Sequence, residues 1–360
     1  MLYPELETPC VIIDLDVAER NVRAMQIVAD QAGVKLRPHT KTHKSTFFAR
    51  MQVAAGARGI TCAKLAEAEV MADAGFDDIL IAYPLIGAQK MARLAALARR
   101  VRRVIVSTDS YEVAEAVSAV GSALGRPIEV YAEVDTGLHR VGRPPGDDAV
   151  AFCEGLARLP GIRLAGVMSH AGWTWKEPDE QERLNAAANE MRILFAIKQR
   201  LGRPDLEISV GATPTAHLVK ETPGVTEMRP GTYIFKDRNT MLLGLATESD
   251  CAMRVLTTVV SHPVPDRAVV DAGSKSLAAD VTAAGGHGHV VGRPDWRVAR
   301  LSEEHGVLEL PPGASLRVGD RLELIPNHVC PAINLFDRVY GVRQGRVERE
   351  ILVEGRGRNW

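Results

Sequence analysis

From about residue 34 to residue 235, short runs of Val, Ile and Ala alternate with longer stretches of helical spacing, and this alternation constrains the fold more than any other feature. Runs so short and apolar read as strands buried on both faces, the signature of a parallel sheet crossed by helices. Eight runs stand out: Lys35–Pro38, Gly59–Ala63, Ile79–Tyr83, Val104–Ser107, Ile128–Val134, Leu164–Ser169, Leu206–Gly211 and Thr226–Phe235. Each follows a helical or turn-rich segment, such as LAEAEVMADAG or NAAANEMRILFAIKQRLG. Eight such units predict a closed (β/α)8 barrel, although an open doubly wound sheet would carry the same alternation.

Beyond about residue 245 the texture changes. VLTTVVSHPV, RAVVDAG, RVARLS, RLELIP and RVYGVRQG are strand-like and are joined by turns rich in Gly, Pro and Asp. The expected organisation is therefore an α/β barrel over residues 14–245 and a mostly β domain over 246–360, with the strand-like segment at 8–14 joining the second domain. A 360-residue chain has room for both.

Charge and cysteine usage narrow the class of partner. A net charge of -1 with 25% charged residues gives no basic stripe for nucleic acid and no polybasic patch for acidic lipid, so a small molecule is the expected ligand. Five scattered cysteines do not form a disulfide framework and indicate a reducing compartment, the cytoplasm by default. The N-terminal MLYPELETPC is acidic and broken by prolines, unlike a secretory signal, and no apolar run reaches the roughly 18 residues of a membrane span.

The densest polar cluster is Arg37-Pro38-His39-Thr40-Lys41-Thr42-His43-Lys44, at the end of the first strand. In a barrel, that end is the catalytic face. A lysine there, desolvated and beside other cationic groups, can attack an aldehyde near neutral pH; a solvated basic turn is the alternative. Two glycine-bearing turns, Gly211-Ala212-Thr213-Pro214-Thr215 after the seventh strand and Arg229-Pro230-Gly231-Thr232-Tyr233 in the eighth segment, occupy the loops where barrels commonly bind phosphate. A lysine at strand one and a phosphate site at strands seven and eight together suit pyridoxal 5'-phosphate (PLP).

RPHTKTHK, with TPCVIIDLD, GFDDILIAYP, VDTGLHRVG, VGATPT, RPGTYIF, EEHGVLEL and PNHVC, resembles in the same order the family of D-threonine aldolases and eukaryotic-type D-serine dehydratases. The resemblance implies the alanine-racemase-like fold, fold type III of PLP enzymes: a (β/α)8 barrel, a β domain, and a homodimer with its active site near the subunit interface. It makes Lys41, the first lysine of RPHTKTHK, the Schiff-base residue, and excludes Lys44. It sets Arg140 near the pyridine nitrogen, where a permanent positive charge disfavours protonation. It also identifies His328 and Cys330 of PNHVC as ligands of a divalent metal. Imidazole with thiolate suits zinc, with manganese or another ion as alternatives, and His and Cys at i and i+2 of an extended segment would face one way. Asp337 is a weaker ligand candidate.

Other polar groups have weaker claims. His170, in SHAGWTW, is either a catalytic residue at the barrel mouth or a hydrogen-bonded structural histidine. Relatives of the dehydratase type tend to carry Tyr where this chain has Trp175, so no phenolic contact to the cofactor transfers; Trp173 or Trp175 could instead shape the substrate pocket. Glu303, Glu304 and His305 match a family segment but also read as a solvated loop, and Gly285-Gly286-His287-Gly288-His289 reads as a glycine-rich loop.

The implied activity is that of a PLP- and metal-dependent lyase on small β-hydroxy-D-amino acids. Dehydration to an oxo acid and ammonia is the expected reaction, favoured by His-x-Cys and the AYP after strand three; cleavage to glycine and an aldehyde is the alternative, favoured by PAINLFD. An amino-acid racemase would share Lys41 but need a second base and no metal. A non-catalytic PLP carrier would usually lack the second domain.

Overall fold

The computed structural model describes residues 2–360. The chain divides into two compact units, one of Ala24–Lys41, Phe48–Gly231 and Gly357–Trp360, the other of the chain up to Arg23, Thr42–Phe47 and Thr232–Arg356.

After β1 (Cys10–Asp14) and α1 (Leu15–Ala32), the first unit builds an eight-stranded parallel sheet from β2 (Lys35–Leu36), β3 (Ile60–Cys62), β4 (Asp78–Ile81), β5 (Arg103–Thr108), β6 (Ile128–Glu133), β7 (Ile162–Met168), β8 (Glu207–Val210) and β9 (Glu227–Met228). The spatial order is β2-β9-β8-β7-β6-β5-β4-β3. The two ends meet: the Thr61 amide donates to Pro38 O at 2.8 Å, and His39 and Thr61 form a parallel bridge. The sheet is therefore a barrel, as the eight runs predict.

Residue alternation decides what each face buries. Ile79 and Ile81, Val104 and Val106, and Val130 and Ala132 join the large apolar layer under the helices. The intervening Leu80, Ile105 and Tyr131 form a small inner cluster. The rest of the interior is ionic: Arg37, fully buried, donates to Glu227 at 2.7 Å and Asp78 at 2.6 Å, and Tyr131 donates to Glu207. A charge pair sealed from water holds its place because removing either partner would strand the other.

The connecting helices include α2 (Thr46–Ala54), α3 (Leu65–Asp73), α4 (Ala88–Arg100), α5 (Tyr111–Leu124), α6 (Asp147–Ala157), α7 (Glu180–Arg200) and the single turn α8 (Thr213–Ala216). Their ends follow local sequence. Ser110 caps α5 by accepting from the Val113 amide, and Gly125 ends it in the left-handed region, φ 64°. Asp179 caps α7.

The eighth run is shorter than its sequence predicts. Only Glu227–Met228 pair as a strand, because Pro230 has no amide to donate, and Thr232–Ile234 form a 3-10 turn instead.

In the other unit, β1 lies antiparallel to β10 (Met253–Val264) and parallel to β16 (Arg338–Arg343). With β11 (Arg267–Val270), β12 (Gly288–Val290), β13 (Arg297–Leu301), β14 (Gly306–Glu309), β15 (Arg321–Pro326) and β17 (Arg346–Leu352), these form a nine-stranded sheet among the described residues. The N-terminal segment Cys10–Asp14 thus pairs with strands more than two hundred residues away in sequence. Among the described residues, no helix is long and apolar enough to cross a membrane.

Candidate active site

A cavity of about 660 Å³ opens at the carboxyl ends of the barrel strands, and Lys41, Arg140, His170 and Gly211 all line it. Four residues singled out from separate stretches of sequence therefore share one space. His39, Glu133 and Arg229 line it as well.

Lys41 is positioned by its neighbours. It sits in the 3-10 turn Thr40–Thr42, and Thr40 Oγ1 donates to Glu67 of α3 at 2.5 Å. The Lys41 amide donates to His39 Nδ1 at 3.4 Å, leaving that imidazole's proton on Nε2. Burial, reinforced by the charges of Lys41, His170 and Arg229, drives the His39 pKa well below the usual histidine value.

His170 follows β7 and pairs through Nδ1 with Gly211 O. Burial, then the nearby Lys41 charge, lowers its pKa to about 3, so the ring is neutral at physiological pH with Nε2 as an acceptor. Glycine at 211 has a steric reason: a Cβ there would meet the Arg229 amide nitrogen at 2.9 Å.

Arg140 is exposed and is presented by a stapled loop in which Asp135 Oδ1 accepts from the amides of Gly137 at 2.9 Å and His139 at 3.0 Å. Arg229, by contrast, is buried and rigid, donating to Ser209 Oγ and to Ser169 O at 2.6 Å each. Ser169 Oγ in turn donates to Glu190, whose carboxyl burial raises to about 7. Burial also raises Glu133, against the pull of Arg229 and Arg140.

The residues expected at a phosphate are buried. Thr213 opens α8, and its Oγ1 has no hydrogen-bond partner among the described residues although it is closed off from solvent. A buried orphan hydroxyl two residues beyond the cavity-lining Gly211 fits an anionic oxygen that the fold itself does not supply. Gly231, Thr232 and Tyr233 are buried too, outside the cavity lining. Trp173 and Trp175 do not line the cavity either; Tyr83, Ile86, Lys64 and Lys90 do. The Trp173 ring packs instead 3.6 Å from where Gly137 would carry a Cβ.

His328 and Cys330 lie together, but not on an extended segment. His328 is the extended residue before the short helix Val329–Ile333, and Cys330 is in its first turn. Burial opposes protonation of His328, but Cys330, Asp280 and Asp237 outweigh it and push the pKa up to about 11. Asp280 Oδ1 is 3.7 Å from His328 Nδ1. This surrounding favours positive charge, and thiol beside imidazole fits a borderline-soft divalent ion with open positions. Among the described residues no group of three His, Cys, Asp or Glu side chains converges.

The weaker candidates have other partners. Asp337 pairs with Arg356 at 3.0 Å, Glu303 and Glu304 pair with Lys275, and His289 meets Glu248 at 2.7 Å.

Residues 13–239 match the family model described as alanine racemase, N-terminal domain, and residues 252–342 match a putative serine dehydratase domain. The chain is 36% identical to a D-threonine aldolase of Arthrobacter sp. over 98% of its own length and 93% of that protein's. It is 37% identical to a D-threo-3-hydroxyaspartate dehydratase of Delftia sp. (strain HT23), covering 90% and 91%. The crystal structure of a D-threonine aldolase from Filomicrobium marinum superposes with a TM-score of 0.92 at 33% identity, covering 100% of this chain and 99% of that one.

Proposed function

Because the chain belongs to the family of D-threonine aldolases and D-serine dehydratases, lyases of PLP fold type III, we propose that it uses PLP on Lys41 and a divalent metal on His328 and Cys330 to dehydrate small β-hydroxy-D-amino acids. The observation that carries this reading is the shared cavity of Lys41, Arg140, His170 and Gly211.

PLP supplies an electron sink for the carbanion at the substrate's Cα, and a zinc or similar ion supplies a Lewis acid for the β-hydroxyl. Lys41 would hold the cofactor through its amine, and the same amine would accept the substrate's Cα proton. Arg140 would face the cofactor's ring nitrogen, where its permanent charge would disfavour protonation. His170, neutral and fixed through Nδ1, offers Nε2 as a proton acceptor without adding positive charge to the cavity. Gly211, Thr213, Gly231, Thr232 and Tyr233 would hold the phosphate, a role that the orphan Thr213 hydroxyl supports. Loss of the Cα proton and of the β-hydroxyl as water would give an enamine, which water would hydrolyse to an oxo acid and ammonia. The enzyme works as a homodimer in the cytoplasm.

Cleavage to glycine and an aldehyde is the second reading, favoured by the D-threonine aldolase relative that the chain matches over 98% of its length. Incubating the PLP-loaded protein with D-serine and D-threonine, with and without EDTA, separates the two. Oxo acid and ammonia lost to EDTA support dehydration, glycine with an aldehyde supports cleavage, and the absence of both sets of products with these and other β-hydroxy-D-amino acids would refute the lyase reading.

A further inference from the structure

A second cavity, of about 330 Å³, opens at the amino ends of β5, β6 and β7, the end of the barrel away from Lys41. Arg102, Arg103, Arg126, Arg163 and Glu129 line it, so four guanidinium groups share the lining with one carboxylate. Strand alternation explains how they gather. Val104, the pair Ile128 and Val130, and the pair Ile162 and Leu164 belong to the apolar layer under the helices. Their neighbours Arg103, Glu129 and Arg163 therefore point to the other side, into the amino-end mouth of the barrel.

The carboxylates within reach are mostly divided among several cations. Glu129 accepts from Arg103 at 2.7 Å and from Arg163 at 2.5 Å. Asp78, almost fully buried, is shared by Arg37 at 2.6 Å, Arg102 at 3.3 Å and Arg103 at 4.0 Å. Glu207 serves Lys35 and Tyr131 as well as Arg103, while Asp77 adds a contact of 3.3 Å to Arg102. Arg126 differs from its neighbours: among the described residues it joins no ion pair, and its guanidinium donates only to Ala98 O. Arg126 and Arg163 are exposed, so an anion can reach them from solvent, and Arg103 lies deeper.

Cations gathered in a concave site concentrate potential, and that potential selects anions. A guanidinium offers a planar fork of N–H donors, and forks arriving from three different strand starts suit the oxygens of a tetrahedral phosphate better than one flat carboxylate. We infer that this amino-end mouth binds a small molecule bearing a phosphate dianion, gripped by Arg126 and Arg163 above Arg103. Arg102, engaged by Asp77 and Asp78, adds to the field without being a primary contact. The competing account is an ion network that only ties the strands together, the usual role of that end of a barrel. Such a network accounts for Arg103 and Arg163 but gives Arg126 nothing to pair with.

Calorimetric titration of the PLP-loaded protein, in phosphate-free buffer, with inorganic phosphate and with glycerol 3-phosphate tests this directly. Saturable binding is expected, weakening as salt is added. It should fall roughly 10-fold or more in Arg126→Gln and in Arg163→Gln, each removing a charge-assisted contact. Without ligand, Arg126→Gln should melt at the wild-type temperature, because its guanidinium pairs with no carboxylate; phosphate should raise the melting temperature of the wild type more than that of the variant. Phosphate binding at least as tight as the ester's would assign the site to free phosphate, and tighter ester binding to a phosphorylated metabolite; both uphold the inference. No saturable binding of either ligand would overturn it. Binding that Arg126→Gln leaves unchanged would overturn it as well, since the anion would then sit elsewhere, as at the candidate cofactor cradle beside Gly211 and Thr213.

Discussion

Cys330 Sγ donates to Thr42 Oγ1 at 3.4 Å, and Thr42 is the residue that follows Lys41 in the chain. A thiol proposed to hold metal is thus bonded to a hydroxyl of its own unit. Groups bonded to a metal's ligands orient them and commonly change metal affinity by about 10–100-fold when removed. Thr42→Val should weaken zinc binding within that range, read by competition with a chelating dye.

Metal and cofactor should be separable. Cys330→Ala, or treatment with EDTA, is expected to abolish turnover while leaving the visible absorbance of Lys41-bound PLP intact. Restoring zinc should rescue the treated wild type but not the variant.

The orphan Thr213 hydroxyl predicts a cofactor effect. A hydrogen bond to a charged group contributes about 1.5–3 kcal/mol, so Thr213→Val should raise the PLP dissociation constant about 10-fold or more. The variant should otherwise fold normally, since the hydroxyl has no partner to lose among the described residues.

His170 makes the fold acid-sensitive. Its pKa is about 3 when folded against 6.5 for an ordinary histidine, so between those values the unfolded chain binds the extra proton and stability falls as pH falls. One such group gives a slope of at most about 1.4 kcal/mol per pH unit. His170→Gln should remove that slope, as measured by denaturant unfolding at pH 6 and pH 4.5.

Glu190 works in the opposite direction. Burial raises its carboxyl from 4.5 to about 7, so the folded state holds the proton more tightly and stability falls as pH rises through that window. Glu190→Gln cannot ionise. Its melting temperature relative to wild type should rise between pH 5 and pH 8.

The barrel was legible because its strands are buried on both faces, so runs such as Ile79–Ile81 and Val104–Val106 contain no polar interruption. The cavity at the barrel mouth was legible through Lys41, His170, Arg140 and Gly211, which all line it. Glu190 was not: on a helix such as α7 a glutamate reads as solvent-facing, and only the fold shows that this one reaches Ser169. Arg229 sat inside a turn read for its glycine, and nothing local announced a buried guanidinium held by two serines. The spacing of His328 and Cys330 was readable but their backbone was not, because the helix turn at Val329 depends on the buried Asp237 accepting the Val329 amide, 92 residues away.

Lys41 decides the account most directly. The purified wild type, supplied with PLP, should show the visible absorbance of the cofactor joined to a lysine, and borohydride reduction followed by peptide mass spectrometry should find the adduct on Lys41. Lys41→Ala should lose both. No visible band in the wild type, or an adduct on Lys44 or another lysine, would contradict the central claim.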